Sequence, residues 1–281
     1  MHSFGKAEVR IALIDGPIFS AHPAFAGATI RELPKNSQPK CTQLNSLACK
    51  HGTSVAGILV AARDNSVPGI CPRCTLLLRT IFPEVSGGAR KAPNATEQEL
   101  AEAINECIEA GASVINLSSA FVQSSPQDNA DLHEALNYAA RRGVIIVAAS
   151  GNEGILGSST VTRHSWVIPV ASCDAFGRPM KGSNLGSSIG RHGLSAPGEN
   201  IMSLGTDGQL ESFSGTSAAA PFVTGAIALL ASEFPQVSAF EIRSAVTRRC
   251  FGRRGLIVPP LLDAWAAYQE LAAVKGHRRA R

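Results

Sequence analysis

Hydrophobic residues along this chain gather into short continuous runs that alternate with segments whose apolar positions recur three and four apart. Val9 to Ile14, Leu76 to Ile81, Ser113 to Leu117, Val144 to Ala149 and Trp166 to Val170 are runs of the first kind. Their length and their enrichment in β-branched residues predict strands buried on both faces. The first run stops at Asp15-Gly16-Pro17, a turn signal. Segments of the second kind predict helices. Thr96-Glu97-Gln98-Glu99 reads as a capping box ahead of Leu100, Ala103, Ile104, Cys107 and Ile108, with Gly111 as the stop. Asp131 to Arg142 is a helix closed by Gly143. Ala218 to Ser232, Ala239 to Arg249 and Leu262 to Ala273 are three more. Gly52 to Ala62, small and apolar throughout, predicts a tightly packed helix opening at His51, while residues 27 to 48 are polar and read as irregular.

Doubly buried strands alternating with helices argue for an α/β fold of three layers, a mainly parallel sheet with helices on both faces. No internal repeat and no Pro/Ser-rich linker divides the chain. Residues 1–281 therefore read as a single domain, with a core over about 9–250 and a C-terminal helix and basic tail over 251–281.

Composition narrows the function classes. The longest apolar stretch, Ala218 to Ala231, is broken by Pro221, Thr224 and Gly225 and is too short to cross a bilayer, so a membrane is not an expected partner. Lys and Arg number 26 against 22 Asp and Glu, a formal charge of +4. Much of that excess sits in Arg248, Arg249, Arg253, Arg254 and the tail from Lys275 to Arg281. Aromatics at 5% supply no base-stacking platform beside it, so the tail reads as a solvated face and nucleic acid is not an expected partner. Residues 1 to 8 lack the basic start and apolar stretch of a signal peptide, and the expected location is the cytoplasm.

The seven cysteines leave at least one unpaired within the chain. Cys41, Cys49, Cys71 and Cys74 could form local disulfides, remain thiols or share a zinc ion. The gap between Cys41 and Cys49 departs from usual zinc-ligand spacing, and the first two readings are favoured. Cys107 and Cys173 read as core thiols.

In an open parallel sheet, ligands collect beyond the carboxyl ends of strands and the amino ends of helices. Four polar positions fall there. Asp15 follows the first strand, His51 opens the Gly-rich helix, Asn152 follows the Val144–Ala149 strand, and Ser217 opens the Ala218–Ser232 helix. Singly, each has a bland explanation as a turn residue, a cap or an exposed side chain. Together, in this order and context, they are a different matter.

The blocks carrying these residues resemble the signatures of the subtilisin-like serine peptidases. They are Ile11-Ala12-Leu13-Ile14-Asp15-Gly16, His51-Gly52-Thr53-Ser54-Val55-Ala56-Gly57, Ala148-Ala149-Ser150-Gly151-Asn152, and Gly215-Thr216-Ser217-Ala218-Ala219-Ala220-Pro221. The resemblance spans roughly residues 9 to 250. It implies the subtilisin-like fold and a serine endopeptidase with Asp15, His51 and Ser217 as catalytic triad, acting through an acyl-enzyme. It also implies an oxyanion hole made by Asn152 and the backbone N–H of Ser217. By the same likeness, Ser118, Ser119 and Ala120 lie on the strand that pairs with an extended peptide or unfolded-protein substrate. Pro221, read as lying in the first turn of its helix, would cost no hydrogen bond there.

Three departures from the family pattern stand out. Asp15 is followed by Gly16 and Pro17, without the usual Thr or Ser. The usual Ser-Leu-Gly-Gly is here Ser118-Ser119-Ala120-Phe121, and Ala120 narrows the pocket wall. The segment Arg63 to Gly69 is short and poor in carboxylates, so no calcium site, and no other metal or cofactor, is expected. Ile14-Asp15-Gly16-Pro17-Ile18, His22 to Ala28 and Leu194 to Ile201 are similar to a narrower group, the subtilases that process precursor peptides in cyanobactin-type pathways. Leader-peptide cleavage is the refinement this implies. A macrocyclising transpeptidase and a silent peptide-binding protein are the alternatives. Intact residues at all four positions argue against the second.

Overall fold

Strands without a polar face must be covered on both sides, and here they are. The computed structural model describes residues 3–33, 41–84, 95–118, 129–248 and 257–279. Seven strands form one parallel sheet: β1 (Arg10–Asp15), β2 (Thr29–Glu32), β3 (Thr75–Thr80), β4 (Val114–Leu117), β5 (Ile145–Ala149), β6 (Ile168–Cys173) and β7 (Leu194–Pro197). Their spatial order is β2-β3-β1-β4-β5-β6-β7. Two further strands, β8 (Ile201–Leu204) and β9 (Leu210–Phe213), make a separate antiparallel hairpin.

Alternate residues of each strand serve opposite cores, as the period of two requires. Ile11, Leu13, Leu76, Leu78 and Val147 join the cluster containing residues of α1 (Leu47–Val60) and of α6 (Thr216–Glu233). Ala12, Ile14, Leu77, Ile115 and Ile146 join the cluster containing residues of α2 (Glu97–Glu109) and α3 (Ala130–Arg142). The short helices α4 (Thr160–Arg163) and α5 (Ser187–His192) flank β6. Two C-terminal helices, α7 (Ala239–Arg248) and α8 (Ala264–Arg279), pack on each other and send Ile242, Val246, Ala267 and Leu271 into the first core. The C-terminal helix is thus part of the main body. Among the described residues, no helix is long and apolar enough to cross a membrane.

The expected strand-helix alternation and three layers are present. Several boundaries differ, each for a local reason. The helix expected to open at His51 begins at Leu47, because the Ser46 hydroxyl accepts the Cys49 N–H and caps it there. His51 therefore lies in the second turn, with its backbone already helical. Ser217 is the second residue of α6, which starts at Thr216. Pro221 consequently falls beyond the first turn, and its missing N–H leaves the Ser217 carbonyl without the usual partner four residues on. β2 lies inside the stretch read as irregular; as a largely exposed edge strand of four residues it has no apolar pattern to reveal it. β7, β8 and β9, likewise four residues each, were not expected.

Cysteine chemistry resolves locally. Cys41 and Cys49 form a disulfide, while Cys71, Cys74, Cys107 and Cys173 are buried free thiols. A shared four-cysteine zinc site is thereby excluded, since two of its sulfurs are consumed in a disulfide. Burial pushes the Cys107 thiol up to about 12, which leaves it unreactive near neutrality. Arg249, Cys250, Arg253, Arg254 and the side chains from Lys275 onward lie outside the described residues.

Candidate active site

Three adjacent strands deliver three segments to one edge of the sheet. β1, β4 and β5 are neighbours, so Asp15, Ser118 and the segment Ser150-Gly151-Asn152 leave the sheet side by side at their carboxyl ends. α1 and α6 pack against each other on one face of that sheet and carry His51 and Ser217.

A close backbone contact sets the first half of the site. A side chain on Gly16 would meet the Ala48 carbonyl oxygen at 2.2 Å, and one on Gly52 would meet the carbonyl oxygens of Gly16 and Pro17 at 2.6 Å. Only glycine lets the end of β1 lie this close to α1. The approach brings His51 Nδ1 within 2.7 Å of Asp15 Oδ1, which also accepts the Gly16 N–H at 2.6 Å. Asp15 is fully buried, and the His51 side chain is 20% exposed. Burial works against the imidazolium. The Asp15 carboxylate outweighs it through charge and hydrogen bond, so His51 is held above the ordinary 6.5. Asp15 Oδ2 is buried without a partner. Phe213 meets the His51 ring edge-on at 5.3 Å.

The second half is built on the start of α6. Gly215, at φ +118°, turns the chain into the helix in a conformation that side chains rarely adopt. The Thr216 N–H and hydroxyl both donate to Asn152 Oδ1, at 2.9 and 3.1 Å. Because a backbone N–H must meet an acceptor, this contact fixes which end of the Asn152 amide faces Thr216 and leaves Nδ2 as the outward donor. Ser217 occupies the first turn, where backbone N–H groups have no intrahelical acceptor and the helix end is partially positive. Its hydroxyl donates to the Ser118 carbonyl at 2.6 Å. A buried chain, Thr224 hydroxyl to Asn116 to Ser118 hydroxyl (2.7 and 2.6 Å), ties the middle of α6 to the same strand end.

The structure thus joins Asp15 to His51, Ser217 to Ser118, and Asn152 to Thr216. Ser119 and Ala120, expected beside Ser118, lie outside the described residues. Thr216, Thr224 and Asn116 were not among the expected site residues. Thr216 adjoins Ser217 and could have been suspected from that block. Asn116 and Thr224 give no local signal, since their pairing exists only once α6 crosses β4. Among the described residues, one set of metal-type ligand atoms lies close together, Cys41, Cys49 and Glu84, and its two sulfurs are joined in the disulfide.

Comparison with known proteins identifies the family. The model of the subtilase family (Peptidase S8) matches residues 6–256. The thermophilic serine proteinase of Bacillus sp. (strain AK1) is 33% identical over 247 residues, covering 86% of this chain and 56% of that protein. The chain therefore spans little more than half the length of that relative. Among solved structures, a mutant of the protease domain of PatA superposes with a TM-score of 0.88 at 32% identity, over 98% of this chain and 99% of that one. The prenylagaramide maturation protease PagA gives a TM-score of 0.82 at 26% identity, over 95% of each chain.

Proposed function

The chain belongs to the subtilase family of serine proteases, and from that premise we propose that it cleaves peptide bonds with Ser217 as nucleophile. His51 is the general base and acid, Asp15 the orienting carboxylate, and Asn152 with the Ser217 N–H the oxyanion donors. The observation that carries this reading is the 2.7 Å contact between buried Asp15 and His51, which directs the other imidazole nitrogen outward as an acceptor.

In this reading the steps are those of acyl transfer. The Ser217 hydroxyl rotates off the Ser118 carbonyl and passes its proton to neutral His51 while Oγ attacks the scissile carbonyl. Negative charge gathers on the carbonyl oxygen, where Asn152 Nδ2, oriented beforehand by Thr216, and the Ser217 N–H can receive it. The imidazolium is stabilised by Asp15 and returns the proton to the leaving amine. Water then repeats the sequence and frees the acid product.

A test of this reading is labelling by a fluorophosphonate probe. Labelling of the intact protein, absent in Ser217→Ala and strongly slowed in His51→Ala, is the expected result. A folded protein that does not label would leave the peptide-binding alternative in its place.

The likeness to PatA and PagA, along essentially the whole of each chain, supports a narrower substrate: a flexible precursor peptide cut at a leader boundary. Incubation with such a peptide and mass analysis tests it. A linear pair of fragments is expected, whereas a product lighter than its linear counterpart by one water would reveal macrocyclisation.

A further inference from the structure

The disulfide between Cys41 and Cys49 has two unlike ends. Cys41 is half-buried at the start of a surface loop. Cys49 is fully buried, the third residue of α1, and stands two positions ahead of His51. The loop between them is also held by side chains from elsewhere in the fold. Glu84 accepts the Thr42 N–H at 3.0 Å, the Thr42 hydroxyl at 2.6 Å, the Gln43 N–H at 3.0 Å and the Ser46 hydroxyl at 3.2 Å. The Thr206 hydroxyl donates to the Leu44 carbonyl.

Thiol–disulfide exchange attacks the sulfur that can be reached and proceeds fastest when it expels the better-stabilised thiolate. Here those roles fall to different residues. Cys41 is the reachable end. Cys49 lies in the first turn of α1, where the positive helix end favours an anion. The Thr53 hydroxyl lies 3.9 Å from Cys49 Sγ and already accepts the Phe19 N–H at 2.9 Å, so its own proton is available to the sulfur. The Glu84 carboxylate lies near both sulfurs and opposes a second anion, but the four loop donors take up its charge. The bond also anchors the part of α1 on which the base depends. Ala48 adjoins Cys49, and its carbonyl meets Gly16 in the close approach that sets Asp15 on His51.

We propose that Cys41 is a thiol-exchange site, at which a low-molecular-weight thiol of the glutathione class opens the bond to Cys49 and slows the neighbouring catalytic site. The effect on activity rests on the peptidase reading above; the exchange itself does not. In the step, the incoming thiolate bonds to Cys41 Sγ, the bond to Cys49 breaks, and its electron pair leaves on Cys49 Sγ, which takes a proton from water. One disulfide is broken and one is formed, so nothing is oxidised or reduced overall. The reverse step, attack of the Cys49 thiolate on Cys41 Sγ, expels the small thiol and restores the bond. While the bond is open, the first turn of α1 lacks its covalent tie, and Ala48 is held less firmly against Gly16.

The experiment treats the intact protein with excess reduced glutathione, quenches it with acid, alkylates free thiols and maps the adducts by mass. In parallel, the rate of fluorophosphonate labelling and the circular dichroism are followed before treatment, during it and after the thiol is removed. A glutathionyl group on Cys41, an alkylated Cys49 and labelling slowed roughly tenfold, the scale of a small misplacement of a catalytic group, are expected. The dichroism should be unchanged, and removal of the thiol should restore the rate. Cys49→Ser, which cannot form the bond, should label at the slow rate from the start and ignore glutathione. A bond that stays closed, an adduct on Cys49, a labelling rate indifferent to opening, or a slow rate explained by global unfolding each overturns the proposal and leaves the peptidase reading intact. A protein that never labels, even with the bond closed, sinks the peptidase reading and the control of activity together, while the adduct map still reads the exchange at Cys41. Should Cys49→Ser fail to fold, the fall and recovery of the rate in the intact protein decide.

Discussion

The two halves of the candidate site, Asp15 with His51 and Ser217 with Asn152, are held together by different physics. Asp15 and His51 are joined by a backbone contact between β1 and α1 that only Gly16 and Gly52 permit, and their hydrogen bond is already formed. Ser217 and Asn152 hang on side-chain hydrogen bonds at the start of α6, and the Ser217 hydroxyl is engaged with the Ser118 carbonyl. The first half is prepared by packing and resists change. The second is prepared by polar contacts, with the hydroxyl of Ser217, the proposed nucleophile, satisfied by the Ser118 carbonyl.

This contrast can be broken in steps of decreasing size. Ser217→Ala should lower kcat by about 10⁶-fold, the scale of triad knock-outs in subtilisin. Combining it with Asp15→Asn should lower kcat no further, because the two halves act as one unit in the reaction although they are held separately. Steady-state kinetics on one fluorogenic peptide measures both. If the losses multiplied, Asp15 would contribute independently of Ser217 and the two halves would not act as one unit.

Asp15→Asn alone should cost about 10⁴-fold in kcat and also move the pH profile. In the intact protein His51 must be neutral to act and is held above 6.5, so activity rises with pH through that elevated value. Without the carboxylate, burial dominates and the onset moves to lower pH. Stability runs the other way. A histidine whose folded pKa is raised contributes stability that is fully present below the unfolded value and is lost as pH rises through the folded one. Denaturant melts of the intact protein and Asp15→Asn across pH 5 to 9 should therefore converge in that respect as activity rises.

Asn152→Ala removes one donor to the developing oxyanion and should cost about 10²- to 10³-fold in kcat, with KM little changed. Thr216→Val gives the smallest effect, a loss of roughly a few fold, since it removes the hydroxyl contact to Asn152 Oδ1 and keeps the backbone one. A loss in Thr216→Val as large as that in Asn152→Ala would mean that the hydroxyl, and not the backbone N–H, orients the amide.

How legible this was differs by element. The runs leading to Asp15, Ser118 and Asn152 announce themselves, because a strand buried on both faces is apolar throughout and its end is marked by the first polar residues. Edge strand β2 and the hairpin β8–β9 do not, being short and partly exposed. The start of α1 was misplaced because the Gly52–Ala62 run is more conspicuous than the single cap Ser46. Asp15, His51, Asn152 and Ser217 stand out in motif blocks. Asn116 and Thr224 do not, since nothing near them in the chain says what they will face.

By itself, the sequence determined the alternating parallel architecture, the four polar positions at its carboxyl edge and the residue types able to perform acyl transfer, because hydrophobic period and local motif are properties of neighbouring residues. Tertiary structure decided which partner each of those residues has. It set Asp15 on His51 through two glycines, parked Ser217 on Ser118, and turned the Asn152 amide by way of Thr216. Such pairings depend on groups far apart in the chain meeting at distances near 3 Å, and only the packed fold brings them there.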